Sequence, residues 1–162
     1  VVILSAMAGI TDSLIDLAQQ ITHYPEKREL DVLLATGEQT TAALLAMTLN
    51  AMNYPAQSLL GHQAEVVTDC TFGNARIMDI GASRIMELLA GRCIVVVAGF
   101  QGCDTDGNIT TLGRGGSVPR LLSGPQRSGA RRPRMQAHHA PDFVAPSESL
   151  DTEATPADRP AL

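Results

Sequence analysis

Apolar and polar residues alternate along the first 117 residues in patterns that predict strands followed by helices. Val1–Leu4 form a β-branched apolar run, which is typical of a buried strand. After a turn of small residues, apolar positions recur at helical spacing up to Ile21, and this predicts an amphipathic helix. We expect Thr11 or Asp12 to cap the start of this helix and Pro25 to close it.

Glu29–Met52 also shows helical spacing, and Pro55 ends the pattern. Since glycine has a low helix propensity, we expect two pieces divided near Thr36 and Gly37. The later elements are short strands at Ala56–Leu60 and Val66–Thr68, a helix at Ala82–Leu89 that ends at Gly91, and a buried strand at Cys93–Ala98. Strands that alternate with helices, several of the strands being apolar throughout, predict an α/β fold with a mostly parallel sheet covered on both faces.

Two turns that follow predicted strands are the first candidates for a ligand site. Ser5–Gly9 and Gly99–Gln101 both come directly after strand ends. In parallel sheets, ligands bind outside the carboxyl ends of the strands. We therefore expect these turns to face a ligand.

The run Leu112–Ser117 carries one cation in a turn that has few side chains. Asp106 and Gly107 predict a hairpin within Asp104–Gly113, and this hairpin delivers the run. A glycine-lined turn lets backbone N–H groups approach an anion, and the Arg114 guanidinium can bind a carboxylate or phosphate through two hydrogen bonds. An arginine after a hairpin is by itself more often a surface cation, yet this setting predicts an anionic ligand.

Charge and composition divide the chain after Ser117. Residues 1–117 carry six basic and twelve acidic side chains, whereas residues 118–162 carry six arginines, five acidic residues and seven of the nine prolines. Because the second part has no apolar periodicity, we expect a globular domain over 1–117 and a disordered tail over 118–162. The acidic globular part argues against a nucleic-acid-binding surface, which needs clustered lysine and arginine.

The content of apolar residues, 44%, suits one globular domain, and no apolar run reaches the length of a membrane span. Cys70, Cys93 and Cys103 show no CxxC spacing, so we expect neither a disulfide framework nor a structural zinc site, and a reducing cytoplasm fits best. The histidines are scattered apart from His138 and His139, and no metal site is expected from them.

Three separated segments carry motifs in a recognisable order. They are Leu4–Thr11, Arg28–Gln39 with its Thr-Gly-Glu, and Ala98–Ser117 with its Ala-Gly-Phe and Gly-Arg-Gly-Gly-Ser elements. In order and spacing they resemble the aspartate kinases of the amino acid kinase family, and the likeness is almost continuous over residues 1–117. The resemblance implies part of a three-layer αβα sandwich and the transfer of the γ-phosphoryl group of ATP, bound with Mg²⁺, to the side-chain carboxylate of L-aspartate. The product, 4-phospho-L-aspartate, enters lysine, threonine and methionine biosynthesis, and intact members are expected to be homo-oligomers.

The resemblance also implies roles for individual residues. Arg114 matches the family's clamp on an aspartate carboxylate and is the implied catalytic residue, and Glu38 matches the acid that receives the α-ammonium group. The other implied contacts to the amino acid are Ser5, Ala6, Thr11, Phe100 and Ser117, while Gly115 and Gly116 are the implied phosphate loop. The pairing is physically sensible, because a substrate with one amine and two carboxylates needs an acid and a fixed guanidinium.

The chain departs from the family pattern at both ends. The family opens with Lys-Phe/Tyr-Gly-Gly-Thr-Ser, whose lysine and glycines contact the phosphates, whereas the single lysine here is Lys27, outside any matching motif. The family continues Gly-Arg-Gly-Gly-Ser with Asp-Thr-Thr, whereas residues 118–120 read Val-Pro-Arg. We therefore hypothesise an incomplete or frameshifted aspartate kinase that lacks N-terminal residues.

Two other functions stay open at this point. Another amino acid kinase would act on glutamate, acetylglutamate or a nucleotide, although Thr-Gly-Glu combined with Arg-Gly-Gly-Ser favours aspartate. The chain could instead be a non-catalytic aspartate-binding or assembly subunit. A Rossmann dehydrogenase is disfavoured, because no Gly-x-Gly-x-x-Gly follows the first strand.

Overall fold

The computed structural model describes residues 1–113 and the backbone of residues 136–138. The helices and strands are, in chain order, β1 (Val2–Leu4), α1 (Ile10–Ile21), α2 (Lys27–Ala51), β2 (Ala56–Leu59), β3 (Val66–Thr68), β4 (Ile77–Ile80), α3 (Ser83–Ala90), β5 (Ile94–Ala98), β6 (Gln101–Cys103), β7 (Ile109–Thr111) and β8 (Gln136–His138). They form two four-stranded sheets, with strand orders β2-β5-β1-β8 and β4-β3-β6-β7. The predicted helices and strands are confirmed to within about two residues at most of their ends.

The first sheet is parallel throughout and lies between two helices. One face packs Ile3, Leu59, Val95 and Val97 with Ile85 of α3, and the other packs Leu4, Val96 and Ala98 with Ala42 and Ala46 of α2. Successive residues of a strand point to opposite faces, so an apolar strand such as β5 needs a cover on both sides. This layering confirms the α/β sandwich that the sequence predicts.

The second sheet is mixed, and part of it was not predicted. β3 pairs with β4 and β6 with β7 in antiparallel fashion, while β3 and β6 are parallel. The predicted hairpin turn is confirmed between β6 and β7, with Gly107 at a φ of +86°, although the first strand, β6, lies before the predicted start at Asp104. β4 escaped prediction because it is an edge strand whose middle residues, Met78 and Asp79, are both exposed, so no alternation marks it.

α2 is one continuous helix, so the expected division near Thr36 and Gly37 is wrong. At Gly37 the missing side chain is needed for close packing, because a Cβ there would lie 3.0 Å from the Ala6 Cβ and 3.3 Å from the Ile10 Cγ2. Glycine here lets α1 and the turn before it approach α2. Packing against neighbouring elements offsets the low helix propensity of one glycine.

α1 begins differently from the prediction. Its N-cap is Gly9 at a φ of +77°, and Thr11 and Asp12 lie inside the first turn. The chain reverses at Gly9 through a left-handed conformation that glycine adopts without strain, and this fixes the helix start before either polar residue. α1 ends at Ile21, ahead of Pro25, with Thr22 already extended.

α2 also has the length and mean hydropathy, 1.2 over 18 residues, of a membrane-spanning helix. In this structure it packs against α1, β1, β2, β5 and β7. The same apolar character is therefore explained by its position as the central helix of the domain.

The three described residues of the tail form β8, which pairs in parallel with β1, Val2 lying opposite Gln136. The sequence predicted disorder over 118–162, and at Gln136–His138 the structure shows a strand instead. Ordinary strand pairing at the free edge of β1 accounts for it, since an edge offers unpaired N–H and C=O groups. The rest of the tail lies outside the described residues.

We predict that Gly37→Val destabilises the chain by about 1–3 kcal/mol, because the added carbons would collide with Ala6 and Ile10. Thr40→Val is the matched control, since Thr40 is exposed on the same helix and the change should cost less than about 0.5 kcal/mol. Urea denaturation followed by circular dichroism measures both. Equal stability of the two variants would contradict the close packing at Gly37.

Candidate functional site

A cavity of about 480 Å³ lies between α1, α2 and the turn that follows β5. Its polar lining comes from Thr11 and Asp12 of α1, Asp31 and Glu38 of α2, Gly73 and Thr111, and its apolar lining from Ile15, Leu30, Leu34 and Phe100. The turn after β5 follows a strand of the parallel sheet, as expected for a ligand site of an α/β fold. The volume suits a small organic ligand.

Three of the residues implied by the sequence, Thr11, Glu38 and Phe100, line this one cavity although they are far apart along the chain. Ala6 joins them through its backbone, because its N–H donates to the Glu38 carboxylate. Ser5 is half-buried beside Ala6 and does not line this cavity. The turn after β1 and the helix α2 thus meet at Glu38.

Glu38 is buried, with 3% of its surface exposed, and only one of its oxygens is satisfied. Oε1 accepts the Ala6 N–H at 3.1 Å, whereas Oε2 has no hydrogen-bond partner among the described residues. Burial raises the pKa of this carboxyl to about 7, against the lowering effect of the Ala6 N–H. A buried carboxylate oxygen without a partner, on a residue that lines a cavity, is a candidate acceptor for a cationic donor from a ligand.

Asp31 is a second buried carboxylate at the cavity, and the sequence analysis gave it no role. It is fully buried, yet both of its oxygens are occupied by protein donors. The signal was present, because Asp31 stands seven residues before Glu38 in a helical pattern and so lies on the same face. A carboxylate on the buried face of a helix needs a specific partner.

Phe100 has an unusual backbone conformation for a large residue. Its φ is +60°, in the left-handed region that non-glycine residues seldom adopt. Its carbonyl accepts the Leu112 N–H at 2.8 Å, which connects the end of β5 to the end of β7. Strain of this kind persists where surrounding contacts hold it, often at ligand sites.

The glycine-rich turn itself is described only up to Gly113. Arg114, Gly115, Gly116 and Ser117 lie outside the described residues. The structure does define the path that leads to them, since Gly113 fits closely against Asn74: a Cβ on Gly113 would lie 2.1 Å from the Asn74 Oδ1. The last described residue before Arg114 therefore lies directly against Asn74.

Within residues 1–113, no group of three or more His, Cys, Asp and Glu side chains could hold a metal ion. Lys27, the single lysine, is exposed at the first position of α2 and does not line the cavity. The described part of the site thus offers an acceptor for an amine and no cation for a phosphate.

Comparisons with known proteins show the family of this chain. The sequence model of the amino acid kinase family matches residues 1–117. An aspartokinase of Bacillus sp. (strain MGA3) is 57% identical over 117 residues, which are 72% of this chain and 28% of that protein. The aspartate kinase Ask_LysC of Stutzerimonas stutzeri (strain A1501) is 58% identical over the same shares of the two chains.

A solved structure is similar as well. The crystal structure of aspartate kinase from Synechocystis superposes with a TM-score of 0.55 at 45% identity, covering 71% of this chain and 19% of that one. The present chain therefore spans 28% of the two curated relatives and a smaller share of the solved one.

We predict that Glu38→Gln stabilises the ligand-free chain at pH 8 by up to about 3 kcal/mol and has little effect at pH 5. The folded state holds a proton on Glu38 up to about pH 7, whereas the unfolded chain releases it near 4.5. The wild-type chain therefore loses stability as the pH rises between these values, and the amide, which carries no charge, avoids this loss.

Urea unfolding at both pH values measures the difference. The matched control is Glu87→Gln, a change at an exposed carboxylate of α3. A Glu38→Gln effect that is the same at pH 5 and pH 8 would contradict the raised pKa.

Proposed function

Because this chain belongs to the amino acid kinase family, we propose that its protein is an aspartate kinase. The reaction is the transfer of the γ-phosphoryl group of ATP to the side-chain carboxylate of L-aspartate, giving 4-phospho-L-aspartate for lysine, threonine and methionine biosynthesis. The observation that carries the proposal is Glu38 itself, a buried residue that lines a cavity sized for a small ligand and whose Oε2 has no hydrogen-bond partner among the described residues. An α-ammonium group is the donor that this oxygen lacks.

An ammonium group at Glu38 satisfies both partners. Carboxylate and ammonium form a charge-assisted hydrogen bond, which is strong where water is excluded. The bound cation also lowers the pKa of Glu38 again, so the charged carboxylate is the form that binds the ligand. Thr11 and Phe100 line the same cavity and would contact the rest of the amino acid.

One carboxylate of the substrate is assigned to Arg114 by the family resemblance, which also implies that Ser117 contacts the amino acid. The described path to Gly113 supports this, because Leu112 is bonded to Phe100, which itself lines the cavity. With the α-ammonium group assigned to Glu38 and one of the two carboxylates of aspartate assigned to the Arg114 guanidinium, these two charged groups have separate partners. Such positioning is the main contribution that a protein makes to phosphoryl transfer.

ATP is proposed to enter as its Mg²⁺ complex and as a substrate. Its phosphates would be neutralised by Mg²⁺ and by N–H groups of the glycine-rich turn. Gly115 and Gly116, the implied phosphate loop, lie outside the described residues, and Lys27 lies away from the cavity. A cytoplasmic location and a homo-oligomeric state stay predictions.

The structure weighs against two of the alternative substrates. Acetylglutamate and nucleotides have no α-ammonium group, so the free oxygen of Glu38 would stay buried without a partner, which is costly. Glutamate keeps the ammonium and differs by one methylene, so cavity length has to discriminate against it. A non-catalytic aspartate-binding subunit would show the same binding and no turnover.

We predict that the chain binds L-aspartate, that N-acetyl-L-aspartate fails to bind, and that Glu38→Gln weakens binding roughly tenfold or more. Isothermal titration calorimetry of the 162-residue chain measures this. Glu87→Gln, at an exposed carboxylate of α3, is the matched control and should bind as the wild type does.

The affinity should also rise with pH from 5 to 7, by up to about tenfold per pH unit, and level off above the Glu38 pKa of about 7. In Glu38→Gln this dependence should disappear. Equal binding of the acetylated ligand would contradict the proposed ammonium site.

We further predict ATP- and Mg²⁺-dependent formation of an acyl phosphate on aspartate, trapped with hydroxylamine, and its loss in Arg114→Ala. The substitution removes the implied carboxylate clamp while leaving the described part of the cavity unchanged. Aspartate binding with no acyl phosphate in the wild-type chain would favour the non-catalytic subunit.

A further inference from the structure

We propose that Asp31 is a positioning residue for the amino-acid pocket, which holds Thr111 of β7 and Gly73, two residues that line the cavity, in place relative to α2. This inference rests on the proposed function, because it concerns how the wall of the proposed aspartate pocket is kept in a fixed position. Asp31 contacts β7 and the loop before β4, whereas the proposed contact with the ligand is made by Glu38.

The first step is that the Asp31 carboxylate accepts two hydrogen bonds from Thr111, the last residue of β7. Oδ2 accepts the Thr111 N–H at 2.8 Å, and Oδ1 accepts the Thr111 hydroxyl at 2.7 Å. Both residues are almost completely buried. Asp31 therefore binds both the main chain and the side chain of Thr111. Two hydrogen bonds in different directions restrict the orientation of this residue as well as its position.

The second step is that Asp31 also binds the loop that leads into β4. Asp31 Oδ2 also accepts the Gly73 N–H at 3.0 Å, and the Ala75 N–H donates to the Thr111 carbonyl at 2.9 Å. Asn74, between them, lies against Gly113. Helix, loop and strand end are thus bound to one another around a single carboxylate.

The third step is the position of Asp31 on α2. Asp31 and Glu38 are two helical turns apart on the same face and line the same cavity. Because α2 is continuous between them, it acts as a rigid spacer. Glu38 is proposed to take the ammonium group, and Asp31, two turns earlier, holds Thr111 and Gly73, which line the same cavity.

The two carboxylates differ in a way that separates their roles. Both oxygens of Asp31 are occupied by protein donors, whereas Oε2 of Glu38 has none among the described residues. A direct ligand contact by Asp31 would have to compete with these bonds. Asp31 therefore acts by holding protein segments together and does not bind the ligand directly.

The conservative variant Asp31→Asn distinguishes a residue that acts through its hydrogen bonds to Thr111 and Gly73 from one that acts through its negative charge. An asparagine can turn its carbonyl oxygen towards the two N–H groups and its amide towards the Thr111 hydroxyl, which then accepts in place of donating. All three hydrogen bonds survive without the negative charge. Asp31→Ala removes all three.

The test is calorimetric titration of L-aspartate into the 162-residue chain and its variants. We expect Asp31→Ala to weaken binding roughly tenfold or more and Asp31→Asn to restore the affinity to within about threefold of the wild type. Unchanged binding by Asp31→Ala overturns the proposal. An equal loss in Asp31→Asn also overturns it, because that pattern belongs to a carboxylate that binds the ligand through its charge.

Thr111→Val keeps the shape of the strand end, removes only the hydroxyl donor, and covers the case in which Asp31→Ala does not fold. We expect it to weaken aspartate binding by roughly two- to tenfold. Unchanged affinity in this variant overturns the proposal.

Hydrogen exchange separates this inference from the proposed function. If the wild-type chain binds no aspartate, the proposed function fails, and exchange still decides the role of Asp31. We expect faster exchange at Gly73 and Thr111 in Asp31→Ala, with the amides of β5 unchanged. Wild-type exchange at both positions, or faster exchange throughout the chain, overturns the positioning role of Asp31.

Discussion

The packing of α2 against both sheets is the contact on which the rest of the structure depends. α2 covers one face of the parallel sheet through Ala42 and Ala46, and its first half lies against β7 of the other sheet. Small side chains let the helix approach the strands closely. Gly37 does the same for α1, so one continuous helix contacts α1 and both sheets beside the cavity.

This helix buries two carboxylates, and the energetic consequences differ. Asp31 exchanges water for three protein donors, so its burial is compensated within the fold. Glu38 receives one donor, and its raised pKa records the remaining cost of desolvation. Under the proposed function, the ammonium group of the ligand restores part of the stability that this burial costs.

The mixed sheet and the turn after β5 form the cavity together with α1 and α2, since Thr111 of β7 and Phe100 of the turn line it. Phe100, in its left-handed conformation, accepts a hydrogen bond from Leu112, and so the end of the parallel sheet is bonded to the end of β7. Gln101 continues this connection, donating its side-chain amide to the Ala35 carbonyl of α2 at 3.1 Å. The cavity therefore lies where both sheets meet one helix, and a displacement of any of the three changes its shape.

The sequence by itself determined the element types, the parallel apolar sheet, the hairpin at Gly107 and the family, because periodicity, turn residues and motif order are local properties of the chain. Through the resemblance it also implied roles for Thr11, Glu38 and Phe100, three residues that line one cavity in the structure. Only the tertiary structure decided that α2 is unbroken at Gly37, since that depends on what faces the glycine. Likewise only the tertiary structure decided that Asp31 holds Thr111, 80 residues away, because a hydrogen bond between distant segments leaves no periodic signal in the chain.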